Sequence, residues 1–260
     1  MNNNYLSSSS LKAKARGQLL GKYRIVICVF LLHAICIVPF TLAITALTES
    51  GTLGAVFFNS ILTFLFQLFT GFFIAGEAYV YLKAACNQTP LVSDLFHCFK
   101  EDSQKVVHIQ AVLAAISVLS ALPASIAGYF MSRSFLGILL GVSSKGAAEN
   151  VSSGAPLVLA WVVLFLLGTV IEIFADLLFS QVYYLMLDFP EYTAPQLLKT
   201  SVQLMKGSKG RLFYIWISFI PLLMLAGLSF GIGFLWLFPY TQAVAANFYL
   251  DLINKRGHAS

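Results

Sequence analysis

Long runs of apolar side chains, each about as long as a bilayer is thick, constrain this chain more than any other feature. Crossing roughly 30 Å of hydrocarbon takes about 20 apolar residues in a helix. Six runs meet or approach that length: Ile25–Leu47, Ala55–Leu82, Val106–Phe130, Leu157–Leu187, Leu212–Leu228 and Ile232–Ile253. With 58% hydrophobic residues, 10% charged and a mean hydropathy of +0.82, the chain departs strongly from a soluble composition. Nothing between the runs is long enough to bury a core of its own. The expected fold is therefore all-α, a polytopic transmembrane helical bundle of six spans.

The basic residues supply an orientation. Of the 16 Lys and Arg, all but Arg133 and Lys145 fall before span one, between spans two and three, between spans four and five, or after span six. Cytoplasmic loops concentrate Lys and Arg, so this pattern places the N- and C-termini in the cytoplasm. The expected organisation is an N-terminal interfacial helix within residues 1–24, a membrane domain over 25–253 and a cytoplasmic tail over 254–260. The net charge of +5 is spread over segments flanking apolar spans. Its nearest partners are anionic lipid headgroups, not nucleic acid. The first run is also longer than the 7–15-residue core of a secretory signal and reads as a retained span.

Three connections carry amphipathic patterns. In Ser10–Tyr23, Leu11, Ala15 and Leu19 share one face, while Lys12, Lys14 and Arg16 offer charge to headgroups. Thr89–Pro90 precedes the apolar rhythm Leu91, Val92, Leu95, Phe96 and Phe99. Thr193 and Pro195 precede Leu197, Leu198, Val202 and Met205. Thr suits an N-cap, and Pro suits an early helical position that needs no N–H. All three read as interfacial helices, and spans two–three and four–five as parallel repeats. The outer segment Met131–Pro156 reads as a Gly- and Ser-rich loop, within which Phe135–Val142 could dip into the interface. Gly227, Gly231 and Gly233 bracket a turn between spans five and six, unless those two form one bent helix. Cys28 and Cys36 within span one, and Cys86 and Cys98 in a reducing compartment, form no disulfide framework.

Two polar stripes run through the spans. Asn59, Thr63, Gln67, Thr70, Glu77 and Tyr81 share a face of span two, and Thr169, Glu172, Asp176, Ser180 and Tyr183 a face of span four. Lipid cannot satisfy such groups, so both faces should turn toward the bundle or a wet cavity. Counting along the helices at 1.5 Å per residue puts Asp176 roughly level with His33, which makes a contact between them feasible. The candidate ligand-binding residues are His33, Glu77, Glu172, Asp176 and Asn247, lining an inward-facing cavity. Metal, cofactor and catalytic residues are not assigned. No phosphate-binding glycine loop, His-x-x-x-His pair or G-x-S-x-G elbow occurs in the sequence.

Leu11–Tyr23 (LKAKARGQLLGKY), Ser201–Phe219 (SVQLMKGSKGRLFYIWISF) and Gly231–Leu252 (GIGFLWLFPYTQAVAANFYLDL) resemble a bacterial membrane family of unknown function, domain of unknown function 975. Pro221 departs from that family's Gly-Trp pattern. The resemblance implies a bacterial plasma-membrane protein and brings no substrate or catalytic residue. Three functional classes follow. The leading one is a non-enzymatic membrane subunit or carrier for a small or lipidic ligand. The second is a structural or regulatory partner of another membrane complex, and the third an intramembrane enzyme using Glu172, Asp176 and His33.

Overall fold

The computed structural model describes residues 5–47, 52–139 and 147–257, with no strand among them. The helices are α1 (Ser8–Leu19), α2 (Tyr23–Leu47), α3 (Leu53–Ala85), α4 (His97–Lys100), α5 (Ser103–Leu139), α6 (Ala147–Phe179), α7 (Val182–Asp188), α8 (Ala194–Leu204), α9 (Lys209–Ile217), α10 (Ile220–Leu228) and α11 (Phe234–Gly257); a 3₁₀ turn, Val92–Phe96, precedes α4. Five segments are long and apolar enough to cross a membrane: Tyr23–Ala46, Leu53–Ala85, Ser103–Met131, Pro156–Asp188 and Lys209–Leu228. The sixth run forms α11, whose 24 residues reach about 36 Å. Its Gln242, Asn247 and Asp251 interrupt the apolar composition, and it is not among those five.

The chain forms two compact units. Unit one comprises residues 1–37, 69–109 and 177–260, and unit two residues 38–68 and 110–176. Unit one holds most of the fully buried side chains. Leu11, Ala15 and Leu19 of α1 are completely buried, and α1 packs along α11. Protein, namely α11, thus covers the apolar stripe of α1. A helix on a bilayer and a helix on a neighbour have the same periodicity.

A helix–turn–helix pattern recurs within unit one. The buried set Leu95, Cys98, Val106 and Ile109 returns at the same spacing as Ser201, Leu204, Leu212 and Ile215. The helices feeding these motifs each bury a Val-Tyr pair, Val80–Tyr81 and Val182–Tyr183. In the second motif Ser201 donates its hydroxyl to Leu178 O at 2.8 Å. In the first, Gly76 makes the corresponding close approach: a Cβ there would sit 1.9 Å from Leu95 O. Only glycine lets the two backbones meet.

The connections differ in detail from one another. Thr193 caps α8 as expected, with its N–H donating to Gln196 Oε1 at 2.8 Å and Pro195 in the first turn. The first connection is instead a 3₁₀ turn and one α-turn starting at Val92. Asp94 captures the Leu91 N–H at 2.8 Å and also pairs with Lys83 at 2.8 Å, so capping falls to Asp94, not Thr89. Cys98 is buried in this motif as an apolar filler, and burial, with Asp102 and Glu101 nearby, pushes its thiol up to about 12. The last two elements are two helices, not one bent helix. Ser229 Oγ accepts the Gly233 N–H at 2.9 Å, and Gly233 lies against Ala226, where a Cβ would come within 2.7 Å of the Ala226 Cα. The contacts Ala226–Gly233 and Phe219–Tyr240 run in opposite order along the chain, as in an antiparallel hairpin.

In unit two the side chains turn outward. Phe57, Ile61, Leu65, Leu159, Leu166 and Val170 are all exposed. Such surfaces suit hydrocarbon as the surrounding solvent. The segment expected to be the loop Met131–Pro156 is mostly helical: α5 runs to Leu139 and α6 starts at Ala147, with Pro156 inside it. Of Phe135–Val142, Phe135–Leu139 continues α5, and the rest lies outside the described residues.

Candidate functional site

Glu77 lies on α3 one turn beyond Phe73, so both side chains leave the same face of the helix. His33 on α2 meets both. Its Nδ1 is 2.6 Å from Glu77 Oε1, and its ring stacks on Phe73 with centroids 5.5 Å apart and planes 9° from parallel. Phe69, Phe96 and Phe99 ring Phe73 with edge contacts at 5.3, 6.0 and 5.4 Å. The carboxylate is nearly buried and the imidazole keeps 21% of its side-chain surface accessible. The aromatic wall fixes the ring plane, and the carboxylate occupies one of its two nitrogens. The other nitrogen, Nε2, is left to meet a ligand. His33 thus takes its partner, Glu77, from within unit one.

Asn247 occupies a second position in unit one. Its Nδ2 donates to Gln18 Oε1 at 2.6 Å and to Ala243 O at 2.9 Å, while Gln18 Nε2 donates to Ala85 O at 2.6 Å. Gln18 therefore ties α1, α3 and α11 together. Asn247 Oδ1 is buried without a hydrogen-bond partner among the described residues. One turn on, Asp251 pairs with Arg211 at 2.5 Å, and Arg211 also donates to Leu6 O at 2.6 Å. Tyr249 donates to Asp188 Oδ2 at 2.6 Å and stacks on Tyr184 with centroids 5.2 Å apart.

Glu172 and Asp176 belong to unit two. Glu172 Oε1 accepts the Ser117 hydroxyl at 2.6 Å, and Ser117 Oγ accepts from Gln67 Nε2 at 3.2 Å. This relay joins α3, α5 and α6 across the two polar stripes of the sequence. Glu172 also lines a cleft of about 300 Å³ with Ser120, Gly128, Trp161 and Thr169. Asp176, one turn further, is exposed.

The five candidates thus occupy three settings: His33 with Glu77, Asn247 with Gln18, and Glu172 with Ser117 beside Asp176. Gln18, Ser117 and the Arg211–Asp251 pair escaped the reading of the sequence. Ser117 had a visible signal, because Gln110, Ser117 and Ser120 form a third polar stripe on the third span. Asp251 also follows Asn247 by one turn, on the same face of α11.

The chain matches the family described as "Protein of unknown function (DUF975)" over residues 1–256. No curated protein and no solved structure matches it.

Proposed function

The chain belongs to the DUF975 family of proteins of unknown function, and we propose that this member is a non-enzymatic multi-pass membrane protein, a carrier or a membrane subunit, that binds a small or lipidic ligand at the polar centre of unit one. The observation carrying this reading is the His33–Glu77 pair on two helices long and apolar enough to span a membrane. Ionisable groups at such depth are costly and mark sites of use. A partly accessible imidazole held against a carboxylate offers a small ligand a ring nitrogen beside an anionic group. Asn247, with its unpartnered oxygen, adds a second polar group to the same unit.

The topology proposed with it is six spans in a bacterial plasma membrane, with both termini cytoplasmic. α11 supplies the sixth span, because its polar residues find protein partners: Asn247 bonds Gln18, and Asp251 bonds Arg211. Such pairing lets a polar helix persist in lipid. The clustering of Lys and Arg supports the orientation.

The test is a ligand screen by thermal unfolding of the detergent-purified protein. A ligand of this centre should stabilise the wild type, by the mass-action term that follows from binding the folded state alone, and leave Glu77→Gln unmoved. Equal stabilisation of both would overturn the reading. A second reading, a subunit of a larger membrane complex, is favoured by Asp176, a carboxylate exposed on a span. Copurification of a partner through its basic side chain, lost in Asp176→Asn, would decide for it.

A further inference from the structure

Beside the α1–α11 contact a groove of about 740 Å³ opens, within the size range of small-molecule sites. One end is cationic. Lys12 and Arg16 line it together with Tyr23 and Tyr240. Lys12 Nζ donates to Ser218 Oγ at 2.7 Å and to Ser218 O at 3.3 Å, and lies 4.2 Å from the centre of the Phe219 ring. The Arg16 guanidinium lies 5.7 Å from the centre of the Tyr240 ring. Both cations are thus positioned, yet among the described residues neither forms an ion pair, and no carboxylate lines the groove. Burial and the neighbouring Arg16 hold the Lys12 amine below its ordinary range, as expected for two cations that share no anion.

The rest of the groove is apolar. Leu222, Leu225 and Ala226 of α10 face Trp236 and Leu237 of α11, and the groove closes at the hairpin turn near Ser229 and Gly233. From Ser218 to Ser229 the helical rise comes to roughly 16 Å, enough to run alongside much of an acyl chain. Leu225 and Trp236 remain exposed along the open side, so an occupant can enter sideways from the bilayer.

We propose that this groove is a binding site for an anionic glycerophospholipid, its phosphate between Lys12 and Arg16 and its acyl chains along α10 and α11. Guanidinium gives the phosphate a two-point contact, and ammonium adds a point charge. The phenols of Tyr23 and Tyr240 supply further donors. The apolar floor distinguishes such a ligand from free phosphate. The site shares no residue with the His33–Glu77 centre, so either can fail without the other.

Trp236 makes the test direct. With Trp161 and Trp216 replaced by Phe, the full chain is reconstituted in phosphatidylcholine vesicles containing a small fraction of phosphatidylglycerol with brominated acyl chains, and quenching of Trp236 is read. Brominated phosphatidylglycerol should quench well beyond its share of the bilayer, whereas brominated phosphatidylcholine should quench in proportion. Arg16→Gln removes a direct charge-assisted contact to the phosphate, worth about tenfold or more, so the selectivity should fall about tenfold. Arg16 is exposed, so this variant leaves the packing intact. Lys14→Gln removes the same charge from an exposed position outside the groove, and should change selectivity less than twofold. Equal quenching by the two lipids, or an equal loss in Lys14→Gln and Arg16→Gln, would overturn the proposal. So would relief of quenching by millimolar inorganic phosphate, which would mark a site for the free anion.

Discussion

Breaking the His33–Glu77 pair should have a measurable and cooperative cost. Removing one member of a buried ion pair typically costs about 3–5 kcal/mol, and an exposed pair is worth about 0–1 kcal/mol. With side-chain exposures of 21% for His33 and 10% for Glu77, the pair lies between these limits. We expect a coupling of about 2 kcal/mol. In a double-mutant cycle, His33→Gln and Glu77→Gln should each lower the midpoint of thermal unfolding in detergent by about 4–8 °C, taking roughly 2–4 °C per kcal/mol for a chain of this size. The double variant should lose little more than either single one, since the second change removes a partner already idle. Additive losses, with a coupling below about 0.5 kcal/mol, would refute the reasoning and leave the two side chains as independent packing groups.

Further outcomes follow from the same geometry. Gly76→Ala should abolish accumulation of folded protein, because its Cβ would meet Leu95 O at 1.9 Å. Gly17→Ala, in the open on α1, should stabilise by roughly 0.5–1 kcal/mol; detergent thermal unfolding and yield report both. Arg211→Gln should cost about 3–5 kcal/mol, because it leaves the buried Asp251 carboxylate unpaired; recovery of the midpoint in Arg211→Gln/Asp251→Asn would identify the orphaned charge as the cause. The Cys98 thiol, pushed up to about 12 and buried, should resist maleimide at pH 8 in the folded protein, while exposed Cys86 reacts. Mass spectrometry after labelling separates the two, and rapid modification of Cys98 would contradict its placement.

The helices were legible because hydrocarbon imposes a length and a composition that few other environments demand. Their ends were not. Residues 147–155 contain Ser and Gly and precede Pro156, which suggested a loop, yet Ala147, Ala148 and Glu149 are good helix formers and α6 starts there. Thr89–Pro90 resembled the Thr193–Pro195 start, but the Asp94 carboxylate competes for the local N–H groups and shifts the first turn to Val92. The apolar face of α1 is legible as a stripe, but periodicity does not say what covers it, and in the structure α11 packs along it.

The polar centres were legible by kind and less so by partner. Counting rise along a helix gives depth but not azimuth. His33 and Asp176 came out level for that reason, while the structure turns His33 toward Glu77. Small hydroxyl and amide side chains such as Ser117 and Gln18 drew no attention, because one Ser or Gln in a long run is cheap to bury once it has a partner. They nonetheless organise Glu172 and Asn247.

Single-cysteine labelling in intact cells with a membrane-impermeant maleimide tests the topology most directly. In a background lacking the other cysteines, the account predicts that Phe230→Cys, fully exposed at the α10–α11 turn, labels from outside. Cys86, and a cysteine appended after residue 260, should label only once the cells are opened. External labelling of Cys86 or of the appended cysteine, or protection of position 230 until lysis, would contradict six crossings with both ends inside.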